Sequence, residues 1–371
     1  MSRIDFLDNG NPFDNGDMQI GQQWGGTNAT GIVGTHYVAD RWFTTRDGAF
    51  QWRAEQRGAG RPLVGEAGGL AFPINNYIQI QPEIVVNPVG SQVFYIAHNF
   101  EAYKIPWMVY KRMKVGFLVN SNQTGTYTCQ FLGANSNVKY VTSYTIDQAN
   151  TWERKVFEID FAPMHNFLTF PFDFGRGLTM VLPLSTGPDV TGVEPENQWV
   201  STAPIVNNIR GVAGQANLAA NTSNVFNVTG FRAMALDYPG QEVDLWRMKP
   251  PNIDEALRDC MRYYETSYLG TGNRVGAASP GAEVLTSANG NVGGTLKYIS
   301  FKVPKNLAPV GTVYDNTTND NPGFIRNNSA SGTAAAEMTG ETTRGMLMRN
   351  TAAAVTSNVY SFHWVADSRL T

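Results

Sequence analysis

Between Met113 and Ile159 the chain passes through four strand-length segments, Met113 to Val119, Thr126 to Leu132, Lys139 to Ile146 and Trp152 to Ile159, joined by connections rich in Asn, Ser and Gly. β-Branched and aromatic residues crowd these segments, and polar connections of that length suit antiparallel neighbours. Lys155, Phe157 and Ile159 set against Val156, Glu158 and Asp160 show an imperfect two-residue period, as do Thr126, Thr128 and Gln130 against Tyr127, Cys129 and Phe131. Such a period marks a strand with one buried face. Shorter runs of the same kind precede the block, at Arg41 to Thr45, Gln51 to Arg53, Tyr77 to Ile80, Glu83 to Val86 and Val93 to Ala97, and Leu178 to Leu184 and Val225 to Ala235 follow it. That is enough for two stacked antiparallel sheets, the jelly-roll answer to exposed strand edges.

One segment breaks the pattern. Pro250 and Pro251 stop what precedes them, Asn252 caps a helix, and Glu255 closes a capping box three residues on. Ile253, Ala256, Leu257, Cys260, Met261, Tyr264 and Tyr268 recur at helical spacing, which predicts a connecting helix with one apolar side reaching Tyr268. Alternation then returns at Gly294 to Val303, Val310 to Tyr314, Gly345 to Met348 and Val359 to Ala366, between long polar loops. So few short strands make a small core, so this part is expected to lean on the helix, on the first domain or on copies of itself. At the other end, Asp8-Asn9-Gly10-Asn11-Pro12 and Asp14-Asn15-Gly16-Asp17 are turn clusters with little apolar material between them. The expected organisation is a mainly β chain: a docking arm at 1–26, an antiparallel jelly-roll sandwich at 27–248, a connecting helix at 249–270 and a smaller C-terminal β-module at 271–371.

Only 16% of the 371 residues are charged while Phe, Tyr and Trp number 20, 15 and 8, so Asn, Gln, Ser, Thr and Gly must cover much of the surface. A net charge of -3 without clustered Lys or Arg argues against nucleic acid as a partner. No apolar run approaches the length that spans a bilayer and Met1 to Phe6 does not read as a signal peptide, so the expectation is a chain made in the cytosol, with no membrane insertion. Cys129 and Cys260 have no metal-ligand spacing and read as buried thiols.

No reactive centre is legible. His36, His98, His165 and His363 lie near no nucleophile elbow, no His/Cys cluster suits zinc, and the Gly-rich stretches lack the context of a phosphate loop. The expectation is therefore no catalytic residue, no cofactor and no metal. Two weaker readings stay beside it: Asp173, Asp189, Glu194 and Glu196, near Trp199, as the carboxylates of a glycosidase, and Asp14, Asn15 and Asp17 as oxygen ligands of a structural calcium. Sugar rings pack on aromatic side chains, which makes Trp199, placed by the sequence in a polar loop, the first candidate for glycan contact and Trp107 and Tyr110 the next.

Several segments together resemble one family. Asn15-Gly16-Asp17, Gln22-Gln23-Trp24 and Ala39-Asp40-Arg41-Trp42 match an N-terminal hallmark, and Val115-Gly116-Phe117-Leu118-Val119-Asn120-Ser121 with Thr124-Gly125-Thr126-Tyr127 matches a strand-and-turn signature. Tyr144-Thr145-Ile146 with Asn150-Thr151-Trp152-Glu153-Arg154-Lys155 follows in order, then Asp259-Cys260-Met261-Arg262-Tyr263-Tyr264, Phe301-Lys302-Val303-Pro304 and the closing run Phe362 to Leu370. In these respects the chain resembles the tail-fibre and receptor-binding-like structural proteins of tailed bacteriophages, which join a carbohydrate-binding-module-like jelly roll to a C-terminal β-module. The resemblance implies a non-enzymatic virion protein, assembled in the host cytoplasm and displayed on tail or head. Its implied partners are other virion proteins, copies of itself, often as a trimer, and a host-surface glycan. A short tail fibre or tail-tip protein is the first expectation. A head fibre or capsid or tail decoration that binds only virion proteins is the second, and a glycan-degrading depolymerase the third.

Overall fold

The computed structural model describes residues 11–23, 29–32, 34–67, 70–105, 108, 110–133, 137–166, 173, 175–201, 208–248, 252–268, 282–286, 296–316, 322–329, 331–351 and 358–369. The chain divides into two compact units, one comprising Met1–Gln19 and Asn28–Ile253, the other Ile20–Thr27 and Asp254–Thr371.

Among the described residues, thirteen strands build the first unit. They are β1 (Ala29–Ile32), β2 (His36–Ala39), β3 (Trp42–Asp47), β4 (Trp52–Arg57), β5 (Tyr77–Pro82), β6 (Val93–Glu101) and β7 (Arg112–Ser121). After them come β8 (Gly125–Gly133), β9 (Val138–Ile146), β10 (Glu153–Asp160), β11 (Arg176–Thr186), β12 (Trp199–Ser201) and β13 (Phe226–Leu236). Six form one antiparallel sheet in the order β1-β4-β5-β13-β7-β10, and seven form another in the order β12-β9-β8-β11-β6-β3-β2. The chain moves between the two sheets repeatedly, as a jelly roll must. Aromatic rings bind the sheets face to face: Trp42 lies 4.0 Å from Phe231, and Tyr127 5.7 Å from Phe226, centroid to centroid. Of the expected strands, Glu83 to Val86 is not one. β5 ends at Pro82, after which Val86 N donates to Ala219 O at 2.8 Å, a loop bond.

The docked part of the arm enters this core. Phe13 sits among Trp42, His98, Phe100 and Phe231. Where β13 pairs with β7, the register slips between Thr229 and Arg232, which takes the backbone of Phe231 out of the ladder. The arm satisfies it: Phe231 N donates to Gly16 O at 3.0 Å, and Asn11 Nδ2 donates to Phe231 O at 2.9 Å. A bulge thus finds its hydrogen bonds in a segment more than two hundred residues earlier in the chain.

In the second unit the helix α1 spans Ile253–Met261. It is shorter than the sequence predicts, because Tyr264 to Thr266 leave the helix to form a strand, β14 (Tyr264–Thr266), paired with residues 365–367. Its buried side packs Ala256 and Cys260 on Ile20 of the arm. The remaining strands are β15 (Glu283–Thr286), β16 (Leu296–Ser300), β17 (Val310–Asp315), β18 (Phe324–Asn327), β19 (Gly332–Thr339), β20 (Gly345–Asn350) and β21 (Val359–Asp367). β21 is the hub, pairing with β14, β15, β17 and β18. Ile299, Val313, Ile325, Met346, Met348, Phe362 and Trp364 supply the core. Beside it a fully buried Lys305 Nζ meets Glu265 Oε2 at 2.5 Å. Glu265 Oε1 also accepts from Lys302 N, so the buried carboxylate has the partners that its desolvation demands.

Candidate glycan-binding face

The outward faces of the two sheets of the first unit differ. On the seven-stranded sheet the chain covers itself: Gln130 Nε2 donates to Asn208 O, Arg210 N to Gln130 Oε1, and Val212 N to Thr128 Oγ1. On the six-stranded sheet the cover is partial. Leu70, Ile74, Leu245, Trp246 and Met248 pack on Leu118. Gly116 of β7 lets this cover approach, since a Cβ there would come within 2.9 Å of the Trp246 ring. Tyr77 Oη donates to Ala59 O at 2.8 Å and Trp152 Nε1 to Gly60 O at 2.9 Å, and the two rings meet edge to face at 5.4 Å. They pin the loop that borders the covered half.

Beyond Tyr77 a row of polar side chains crosses four adjacent strands. Glu55 on β4 is paired with Gln79 on β5, Gln79 with Asn227 on β13, and Asn227 with Asn120 on β7. Gln79 Nε2 donates to Asn227 Oδ1 at 3.0 Å, and Asn227 Nδ2 donates to Asn120 Oδ1 at 3.1 Å. One step along the strands, Arg53 Nε donates to Gln81 Oε1 at 3.0 Å and Gln81 Nε2 to Thr222 O at 2.8 Å. The Glu55 carboxylate pairs with Arg57. Sequence alternation dictates the arrangement: Ile78 and Ile80 are wholly buried, so Gln79 between them and Gln81 after them must point outward. The result is a recessed strip of interlocked amides flanked on β4 by Arg53, Glu55 and Arg57. Carboxamides in such a strip can both donate hydrogen bonds to hydroxyl groups and accept them.

The residues singled out by sequence fall elsewhere. Trp199 is not in a loop. It lies on β12, paired with Tyr140 of β9, and is 8% exposed, with rings of Tyr140 and Phe161 against it and Nε1 donating to Asp160 O at 2.7 Å. An indole so enclosed offers no open face to a sugar. Trp107 lies outside the described residues. Tyr110 is 70% exposed, at the opposite end of β7 from Asn120. The carboxylates proposed for hydrolysis are engaged one by one: Glu194 by Lys139 and Arg210, Glu196 by Ser143 Oγ, Asp173 by Gly175 N. Asp189, on the short turn after β11, is exposed.

The calcium reading is corrected. Asp14 is held by Arg41 Nε at 3.1 Å and Lys104 Nζ at 2.5 Å, and Asp17 by Arg232 at 2.7 Å, so the protein's own cations occupy the place of an ion. Burial would raise the Asp14 pKa, but Lys104 and Arg41 outweigh it and hold the carboxyl well below the usual range. Nearby His98 is lowered as well, its pKa driven well below normal by burial and then by Arg41. Burial also pushes the Cys129 thiol up, and Cys129 and Cys260 are both buried and in no disulfide. Among the described residues no group of three or more His, Cys, Asp or Glu is placed to hold a metal, and no helix is long and apolar enough to cross a membrane.

No protein-family model matches the sequence and no curated protein matches it. Among solved structures, the chain is similar to the enzymatically active domain of tailspike protein 4 of bacteriophage CBA120, at 11% identity and a TM-score of 0.30, over 61% of this chain and 21% of that one. It thus spans about a fifth of the length of that protein. It is similar to the family 11 carbohydrate-binding module of Clostridium thermocellum bound to a mixed-linked tetrasaccharide, at 10% identity and a TM-score of 0.26, over 55% of this chain and 96% of the module. A third likeness is to the tandem CBM22 domains of Paenibacillus barcinonensis Xyn10C, at 9% identity and a TM-score of 0.24, over 93% and 92% of the two chains.

Proposed function

We propose that the chain is a non-catalytic structural protein of a phage particle, a short tail fibre or tail-tip component, whose first unit holds a glycan of the host surface. The interlocked row Glu55–Gln79–Asn227–Asn120 carries the glycan part of this reading, because pre-positioned amides bond hydroxyls without first losing side-chain freedom. The virion location and the oligomer rest on the sequence resemblance. In an oligomer, weak sites gain avidity from being displayed together. Binding of the purified protein to arrays of host-envelope and capsular polysaccharides tests the proposal. Asn227→Asp, nearly isosteric and unable to donate to Asn120, should lose tenfold or more in affinity, while Tyr110→Ala should lose none. Equal binding by wild type and Asn227→Asp, or release of reducing ends from the polysaccharide, contradicts it.

One observation favours a second reading, a decoration that touches only virion proteins. Val284, Leu296, Tyr298 and Val310 of the second unit are exposed apolar side chains, better suited to protein than to sugar. Tight association with purified capsids or tails, together with no glycan binding, establishes that alternative.

A further inference from the structure

Resting on that reading, we infer that the row takes an uncharged pyranose chain laid across the strands, about one sugar ring per strand. Neighbouring strands lie about 4.8 Å apart, close to the length that one equatorially linked ring adds to a chain. The row crosses β4, β5, β13 and β7, so it accommodates about four rings.

The hydrogen-bond inventory points to hydroxyls. A carboxamide has two N–H donors and an oxygen with two lone pairs. Asn227 spends one donor on Asn120 and one lone pair on Gln79, which leaves one donor and one acceptor for a ligand. Gln79 keeps its second N–H, and Asn120 its own amide N–H groups, with the dipoles of the relay running in one direction. A pair of vicinal hydroxyls, each both donor and acceptor, matches a carboxamide that keeps one of each. Gln79 and Asn227 are 9% and 8% exposed, so they are fixed before the ligand arrives and only their tips meet it.

At three of its four strands the row offers an acidic chain no cation. The three amide positions are neutral, and the one carboxylate in the row, Glu55, already faces Arg57. A uronate or sialate chain along the row would set its own carboxylates against Glu55 without a matching guanidinium at each strand. Affinity for the neutral ligand should accordingly be indifferent to salt.

Calorimetric titration of the full chain with glucan, mannan, galactan and xylan oligomers of one to six rings, alongside oligogalacturonates, tests the inference. At least one neutral series should tighten about three- to tenfold for each added ring through the fourth and then level off. Asn227→Asp, checked for an unchanged melting temperature, should abolish the gain with length, and Asn120→Ala at the end of the row should cost only the last ring. Preference for oligogalacturonate with sensitivity to Asn227→Asp, or affinity independent of length, overturns the inference while leaving a glycan site on this face. No binding of any saccharide, neutral or acidic, overturns the inference together with the function it rests on.

Discussion

At the scale of single residues, the stretch Asp14-Asn15-Gly16-Asp17 is built for the interior of the first unit. A Cβ on Gly16 would come within 2.5 Å of Phe231 O, so Gly16→Ala must displace the arm from the β13 bulge. It should destabilise the protein by about 1–3 kcal/mol in chemical denaturation. Asp14→Asn strands the buried Arg41 and the partly buried Lys104 and should cost about 3–5 kcal/mol. Acidity acts through His98 and Asp14. His98 has a depressed pKa, so the unfolded chain takes up a proton first and stability falls as pH drops below about 6.5. Asp14 is depressed too; its contribution is complete above about 3.9 and lost as pH falls further. Melting temperature should decline in two stages on acidification, the second flattened in Asp14→Asn; a flat profile from neutrality to pH 3 contradicts this. A sequence displays the carboxylates but not their partners: Arg41, Lys104 and Arg232 stand 27, 90 and 215 positions away. Residues well placed for calcium by composition were for that reason equally well placed for ion pairs. Trp199 misled in the same way. Polar neighbours in sequence placed it in a loop, whereas Tyr140 and Phe161 enclose it, so Trp199→Ala should cost about 3–5 kcal/mol of stability.

At the scale of elements, strands with large alternating side chains were legible. β7, β8, β9, β10 and β13 all fall on segments read from the sequence, since each buries aromatic or branched residues on one face. β19 was not, because its inward positions are the small side chains Ala334 and Ala336, and a strand that buries alanine looks like a polar loop. Ala336→Leu should therefore overpack the second unit and lower its stability by about 1–3 kcal/mol, measured by thermal unfolding. The helix was placed correctly at its start and too long at its end, where Tyr264 and Tyr268 continue the helical spacing but are recruited by β21, whose pairing and burial outweigh local propensity. The polar row was half visible. Tyr77-Ile78-Gln79-Ile80-Gln81 shows amides on one face of a strand, but only the register among β4, β5, β13 and β7 aligns them with Glu55, Asn227 and Asn120.

At the scale of the whole molecule, an antiparallel jelly-roll sandwich and a smaller β-module share one chain, and the arm contributes residues to both, Phe13 to the core of the first and Ile20 to the helix packing of the second. The amide-rich composition finds its explanation here. Many of these side chains tie loops together, as Asn122 does with Ser223 and Val225, Asn217 with Val86, and Asn224 with Leu218. Those of the row instead tie strand to strand across an outward face, the difference on which the proposed binding surface rests. The most direct measurement is an NMR titration that follows the side-chain NH2 resonances of Gln79, Asn120 and Asn227 as host-surface oligosaccharide is added. Saturable shifts at all three with one common affinity are expected if the row holds the glycan, and unshifted resonances there alongside shifts elsewhere would contradict that role.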